Sequence, residues 1–180
     1  MAVTINGNGA VTGLTALPNS AMAGDSVIQV VTNSTNTEVS NSTSTYADTG
    51  LSCSITPSLA SSKILVIVDQ QMQIYSPSSG NNGFGVQLLR GSTVIVNGGP
   101  SNATGPFGYY FAPFSGSLNL YLRHHYSHYD SPSYSVGDTF TYKTQMRRYN
   151  SPHVVKAQLT DSAGDSGVSR MILMEVKSCV

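Results

Sequence analysis

The stretch Ile55-Thr56-Pro57-Ser58-Leu59-Ala60-Ser61-Ser62-Lys63-Ile64-Leu65-Val66-Ile67-Val68, which runs on to Gln71-Met72-Gln73-Ile74-Tyr75, decides how the chain is read. A polar turn feeds an unbroken apolar run, and the run gives way to alternation of Gln with Met and Ile. Successive side chains of a strand point to opposite faces. Five consecutive apolar residues therefore need cover on both sides, whereas the later alternation leaves one face in water. An antiparallel sandwich ordinarily leaves its outer face wet. The pattern predicts one long strand over 63–75 whose second face is buried by another subunit. Ile64, Leu65, Val66, Ile67 and Val68 become the candidate interface of a homotrimer, with parity leaving open which alternating set meets the partner.

Outward from that strand, the chain from Val27 onward consists of short alternating runs separated by turn residues, the signature of an all-β antiparallel sandwich. Strands are predicted over 27–32, 51–56, 63–75, 85–90, 93–97, 108–113, 117–124, 139–148, 154–159 and 171–176. Gly91-Ser92 between Val86-Gln87-Leu88-Leu89-Arg90 and Thr93-Val94-Ile95-Val96 reads as a two-residue hairpin turn with Gly first. No window shows helical spacing over ten residues or so, and no internal repeat of fixed period marks a solenoid or shaft. Residues 1–25 differ: they are rich in Gly, Asn, Thr and Ala, with isolated apolar positions at Val3, Ile5, Val11, Leu14 and Leu17. Such a segment buries too little surface to fold alone and orders against a neighbour. It reads as an extended docking arm ahead of one sandwich domain over 26–180.

At 180 residues the chain holds one domain with a real core. Charged residues make up 10% of it, against about a quarter in an average protein, and nine basic residues balance nine acidic ones. Without a net field to gather phosphates, and with the one basic doublet, Arg147-Arg148, inside a predicted strand, nucleic acid is not expected as a partner. The start of the chain has no basic, continuously apolar leader and no later run is long enough to span a bilayer, so synthesis and folding in a host cytoplasm, away from membrane, are expected. Cys53 falls in step with Leu51 and Ile55 on a buried strand face, and Cys179 is penultimate. That spacing matches no metal site and gives little reason for a bridge.

Gly164-Asp165-Ser166-Gly167 resembles the nucleophile motif of chymotrypsin-like proteases, but Val168-Ser169 follows where that family continues with Gly-Pro. Asp, Ser and Gly are also what a turn before 171–176 demands, and no partner segment for a triad is found. The densest set of functional side chains is Tyr121, Arg123, His124, His125, Tyr126, His128, Tyr129, Asp130 and Tyr134. His124 and His128 share a parity, yet His124 and His125 point to opposite faces and no His-x-His step places two ligands together. The cluster reads as a Tyr-rich subunit interface or loop, with a site for a sugar or protein surface as the rival. Three Asn-x-Ser/Thr triplets, at Asn33, Asn41 and Asn102, are what chance supplies in so Asn- and Ser-rich a chain. Neither an enzyme nor a cofactor is expected.

Thr12-Gly13-Leu14-Thr15-Ala16-Leu17-Pro18, Ser54-Ile55-Thr56-Pro57 with Ser61-Ser62-Lys63-Ile64-Leu65-Val66, Leu88-Leu89-Arg90-Gly91-Ser92-Thr93-Val94-Ile95, Tyr129-Asp130-Ser131-Pro132 with Thr141-Tyr142-Lys143, and Met171-Ile172-Leu173-Met174-Glu175-Val176 follow one another in this order. In that order the chain resembles, over nearly its whole length, a group of small phage virion proteins described as tail-fibre or structural proteins. The resemblance implies a jelly-roll sandwich similar to the trimeric C1q and tumour-necrosis-factor folds, located on the virion surface. Two roles stay open under it. A capsid decoration or cement protein would sit as a trimer on the shell, its arm laced onto the major capsid protein or another virion protein. The receptor-binding tip of a tail fibre would contact a host surface glycan. The lack of a repetitive shaft or anchoring domain favours decoration.

Overall fold

A computed structural model describes residues 4–5, 11–12, 21–97, 108–160, 163–164 and 167–178. The strands are β1 (Thr4–Ile5), β2 (Val11–Thr12), β3 (Val27–Thr35), β4 (Val39–Asn41), β5 (Ala47–Ile55), β6 (Lys63–Ser76), β7 (Gly80–Arg90), β8 (Thr93–Val96), β9 (Gly108–Phe114), β10 (Leu118–Asp130), β11 (Phe140–Arg148), β12 (Val154–Ala157) and β13 (Ser169–Val176). Beyond the small β1–β2 pair they form two antiparallel sheets, in a molecule whose described residues contain no α-helix. In the first sheet β6 is central. Along its whole length it pairs with β10, from Leu118↔Ser76 to Asp130↔Ile64. Its other side is shared by β13 over Lys63–Asp69 and by β12 over Met72–Tyr75, and these are bordered in turn by β3 and β4. The second sheet runs β5-β11-β7, and β7 is flanked by β8 at Leu88–Arg90 and by β9 at Gly80–Gly85.

Parity on β6 resolves what the apolar run is for. Ile64, Val66, Val68, Met72 and Ile74 are fully buried against the second sheet, while Leu65 and Ile67 face outward and are half-exposed. Three of the five residues expected at a subunit interface, Ile64, Val66 and Val68, are therefore spent on the molecule's own core. They cannot also meet a partner, because each strand side chain serves one face. Leu65 and Ile67 remain available.

The interior is two apolar clusters. One gathers Leu51, Ile55, Ile64, Val66, Leu88, Tyr142 and Leu173, and the other Met72, Ile74, Phe84, Val86, Met146 and Val155. Between them, at corresponding positions on successive strands, lie buried Thr49 (β5), Thr144 (β11), Gln70 (β6) and Ser169 (β13). The Thr49 and Thr144 hydroxyls meet at 2.6 Å. The Gln158 side chain enters this belt from the end of β12. In the orientation that satisfies both its ends, its nitrogen donates to the Thr49 carbonyl at 2.9 Å and its oxygen accepts from Ser169 Oγ at 2.8 Å and Gln70 Nε2 at 3.2 Å. Buried polar groups cost stability unless bonded, and this belt links its hydroxyls and the Gln158 amide across both sheets, leaving Gln70 Oε1 without a partner among the described residues.

The hairpin at Gly91-Ser92 forms, with Arg90 opposite Thr93 and Gly91 at φ +59°. The principal departures are at element ends. β10 runs on to Asp130, β7 starts five residues earlier than expected at Gly80, and β4 was not anticipated, because Val39-Ser40-Asn41 has no pattern of its own and exists through pairing with β12. Of the docking arm, Val3, Leu14 and Leu17 lie outside the described residues. Ile5 and Val11 are paired in the two-rung β1–β2 ladder, which joins neither large sheet. Met22 and Asp25 are bonded to the sandwich: the Met22 carbonyl accepts from Lys177 Nζ, and the Asp25 N–H donates to the Lys177 carbonyl at 2.8 Å.

Candidate functional site

The side chains available for interaction concentrate on the outer face of the β6-centred sheet, where every second residue of β3, β13, β6 and β10 points away from the core. Cross-strand register arranges them in rows. Val30, Met174, Leu65 and Tyr129 lie side by side across the four strands, and Thr32, Ile172, Ile67 and Ser127 form the next row. Directly opposite side chains in such rows are about 5 Å apart, so their apolar members make a continuous patch. Val30 is 52% and Tyr129 44% exposed, and Leu65, Ile67, Ile172 and Met174 are half-buried.

The third row is ionic. Asp69 accepts from Arg123 through both oxygens, at 2.7 Å from Nε and 2.6 Å from Nη2, and from His125 Nε2 at 3.0 Å, while Arg170 is its cross-strand neighbour on β13. The Arg123 hydrogen bonds hold the Asp69 carboxyl below its usual range, against the opposing effect of partial burial and with the charges of Arg123, His125 and Arg170 adding to the lowering. Arg123 also donates to the Val168 carbonyl at 3.0 Å and so ties the residue just ahead of β13 to this face. Farther along, Tyr75 and Tyr121 are exposed beside the amides of Gln73 and Asn119, with Asn119 Nδ2 donating to the Tyr121 hydroxyl at 3.1 Å.

The register divides the Tyr/His cluster. Tyr121, Arg123, His125 and Tyr129 are on the outer face, whereas His124, Tyr126 and His128 point inward. Tyr134 is beyond the strand, its hydroxyl bonded to the Leu59 carbonyl. The cluster is thus not one site. His124 is buried among Phe84, Tyr109 and Tyr126, with ring centroids at 6.4, 5.5 and 5.0 Å, and neither imidazole nitrogen has a hydrogen-bond partner. Burial, with a smaller contribution from His125, brings its pKa down to about 4. Asp130 latches the end of β10 to the second sheet by pairing with Arg90 and accepting from the Tyr142 hydroxyl at 2.7 Å.

Asp165 and Ser166 of the protease-like motif, and Cys179, lie outside the described residues. The glycines of that motif have structural reasons to be there. Gly164 takes φ +88°, and a Cβ on Gly167 would stand 2.7 Å from Gln71 Cδ, where the Gln71 side chain is held by the Leu159 N–H at 2.7 Å. Cys53 is a buried free thiol between Leu51 and Ile55.

Two features escaped sequence reasoning. One is the Asp69 hub, which needs residues from three strands. The other is Glu175, fully buried, which accepts from the N–H groups of Ser58 and Leu59 at 3.0 Å and from Gln29 Nε2 at 2.7 Å. A lone carboxylate at an inward position of Met171-Ile172-Leu173-Met174-Glu175-Val176 was the available signal for the second. No protein-family model matches the chain, and no curated protein matches it in sequence.

Proposed function

We propose that the chain is a non-enzymatic structural protein of a phage virion surface, a homotrimeric jelly roll that decorates the capsid and docks through its N-terminal segment. The observation that carries the reading is the outward apolar patch of Val30, Leu65, Ile67, Tyr129, Ile172 and Met174, contiguous across four neighbouring strands. Contiguous apolar surface of this kind is what subunit association buries. The occupant is a second copy of the chain. Nine basic and nine acidic residues leave copies with no net repulsion, and the Asp69–Arg123–Arg170 row beside the patch offers both signs to a partner that carries the same surface. The jelly-roll reading is supported by two antiparallel sheets in two layers, six strands around β6 and five around β7. The virion assignment is supported by the ordered sequence motifs.

The rival role, a fibre tip that contacts host glycans, is favoured by exposed Tyr75 and Tyr121 flanked by side-chain amides, a surface suited to stacking and hydrogen bonding with sugars. Immunogold labelling of intact particles separates the two: label over heads supports decoration, and label at tail ends supports the tip. Absence of label from purified particles would remove the virion reading. Light scattering of the isolated protein at micromolar concentration should give three times the chain mass, and a monomer would remove the trimer.

A further inference from the structure

Where β6 begins and β10 ends, Ser61 to Lys63 face Ser131 to Tyr134 across an open cleft of about 350 Å3. We infer that this cleft binds a carboxylate-bearing sugar unit of an acidic saccharide. The pairing of Ile64 with Asp130 sets its two walls side by side. The Tyr134 hydroxyl, bonded to the Leu59 carbonyl, fastens one wall to the other, and the Tyr134 ring packs edge-on against Phe140 at 5.6 Å. The cleft is therefore preformed. Ser61 at its lip holds φ +61°, a left-handed conformation that costs energy in a residue with a Cβ and that concentrates at functional positions.

Its charge comes from Lys63. The Lys63 ammonium lies 5.3 Å from the centre of the Tyr129 ring and takes part in none of the ion pairs among the described residues. Among the described residues, the carboxylates at this end are engaged elsewhere: Asp130 by Arg90 and Tyr142, Glu175 by the Ser58 turn, and Asp138 by the Ser135 N–H. Lys63 thus lines the cleft together with Ser61, Ser131 and Ser133 and with Pro132 and Tyr134, and pairs with no carboxylate among the described residues. Phosphate sites gather several backbone N–H groups or guanidinium forks. A single ammonium among hydroxyls, which both donate and accept, instead matches a monoanion on a polyhydroxyl body. The volume falls at the lower end of the roughly 300–1,000 Å3 of small-ligand pockets, which suits a single sugar unit. The inference goes beyond the virion role and depends on neither head nor tail location.

Saturation-transfer NMR on the full chain with sodium glucuronate, glucose and acetate as separate probes tests it. Glucuronate should receive saturation, with glucose and acetate each about tenfold weaker, the size of effect expected for one charge-assisted hydrogen bond or a set of neutral ones. Lys63→Gln should lower glucuronate affinity by about the same factor, and the Ser131→Ala, Ser133→Ala double variant should lower it severalfold, with both variants melting as the unaltered protein does. Glucose binding equal to glucuronate, no response to glucuronate, or full affinity in folded Lys63→Gln overturns the proposal. Acetate binding as tightly as glucuronate overturns the saccharide assignment and points to a bare carboxylate such as a peptide terminus.

Discussion

Glu175 stays ionised inside the sandwich because the turn it holds keeps it so. Burial alone would raise its pKa, but the Ser58 N–H, the Gln29 amide, the Ser62 side chain and the Leu59 N–H outweigh burial and bring it below the usual carboxylate value. A lowered folded-state pKa means that its contribution is present above the unfolded value of about 4.5 and is lost as pH falls through the folded one. Glu175→Gln presents an amide NH2 to groups that are themselves donors, and should cost about 2 kcal/mol at pH 7 by urea unfolding. His124 obeys a different window. Its folded pKa of about 4 lies below the unfolded 6.5, so the unfolded chain takes up the proton first. Stability is fully present above pH 6.5 and declines as pH falls towards 4, by about 3 kcal/mol in all for a shift of this size. His124→Phe fills the same aromatic cage without a proton site. Unfolding midpoints of this variant at pH 7 and pH 5 should differ less than those of the unaltered protein; an unchanged pH dependence would mean that His124 is not the group titrating.

At the scale of the strand, β6 makes opposite demands on neighbouring residues, and substitution should expose them. Leu65→Lys and Ile67→Lys place charge on the outer face and should give folded, soluble monomer by light scattering with the circular dichroism of the unaltered chain. Val66→Lys buries an unpaired ammonium in the core and should prevent folding altogether. Folded oligomers in both outer-face variants would show that the patch is not the subunit contact. β10 is longer than its aliphatic content predicts. His124-His125-Tyr126-Ser127-His128-Tyr129-Asp130 contains too few aliphatic residues to register as a strand, so its side chains read as a functional cluster. Alternation was nonetheless there: inward His124, Tyr126, His128 and Asp130 are neutral, ring-bearing or ion-paired, and outward Tyr121, Arg123, His125 and Tyr129 are solvated. The inward set is polar because the second sheet supplies Arg90, Tyr142 and an aromatic cage, partners that no local pattern can announce.

For the whole molecule, the docking role of the N-terminal segment is tested by removing residues 1–20 rather than 1–25, because Met22 and Asp25 are bonded to Lys177 and belong to the sandwich. The truncated protein should melt within about 0.5 kcal/mol of the full chain, keep its oligomeric state, and fail to join particles in an incorporation assay. Normal occupancy would move docking to the sandwich. From the sequence by itself came the all-β class, the ten principal strands, the hairpin at Gly91-Ser92, the buried thiol at Cys53 and the opposed directions of His124 and His125, since strand periodicity and turn chemistry are local and are written in neighbouring residues. Which half of Ile64–Val68 faces the core, the division of the Tyr/His cluster, the polar belt joining Thr49, Gln70, Thr144 and Gln158, and the cleft between Ser61–Lys63 and Ser131–Tyr134 were decided by tertiary structure alone. Each depends on which strand pairs with which and in what register, and those pairings bring together residues dozens of positions apart whose match in charge, shape and hydrogen bonding exists only once the two sheets have packed.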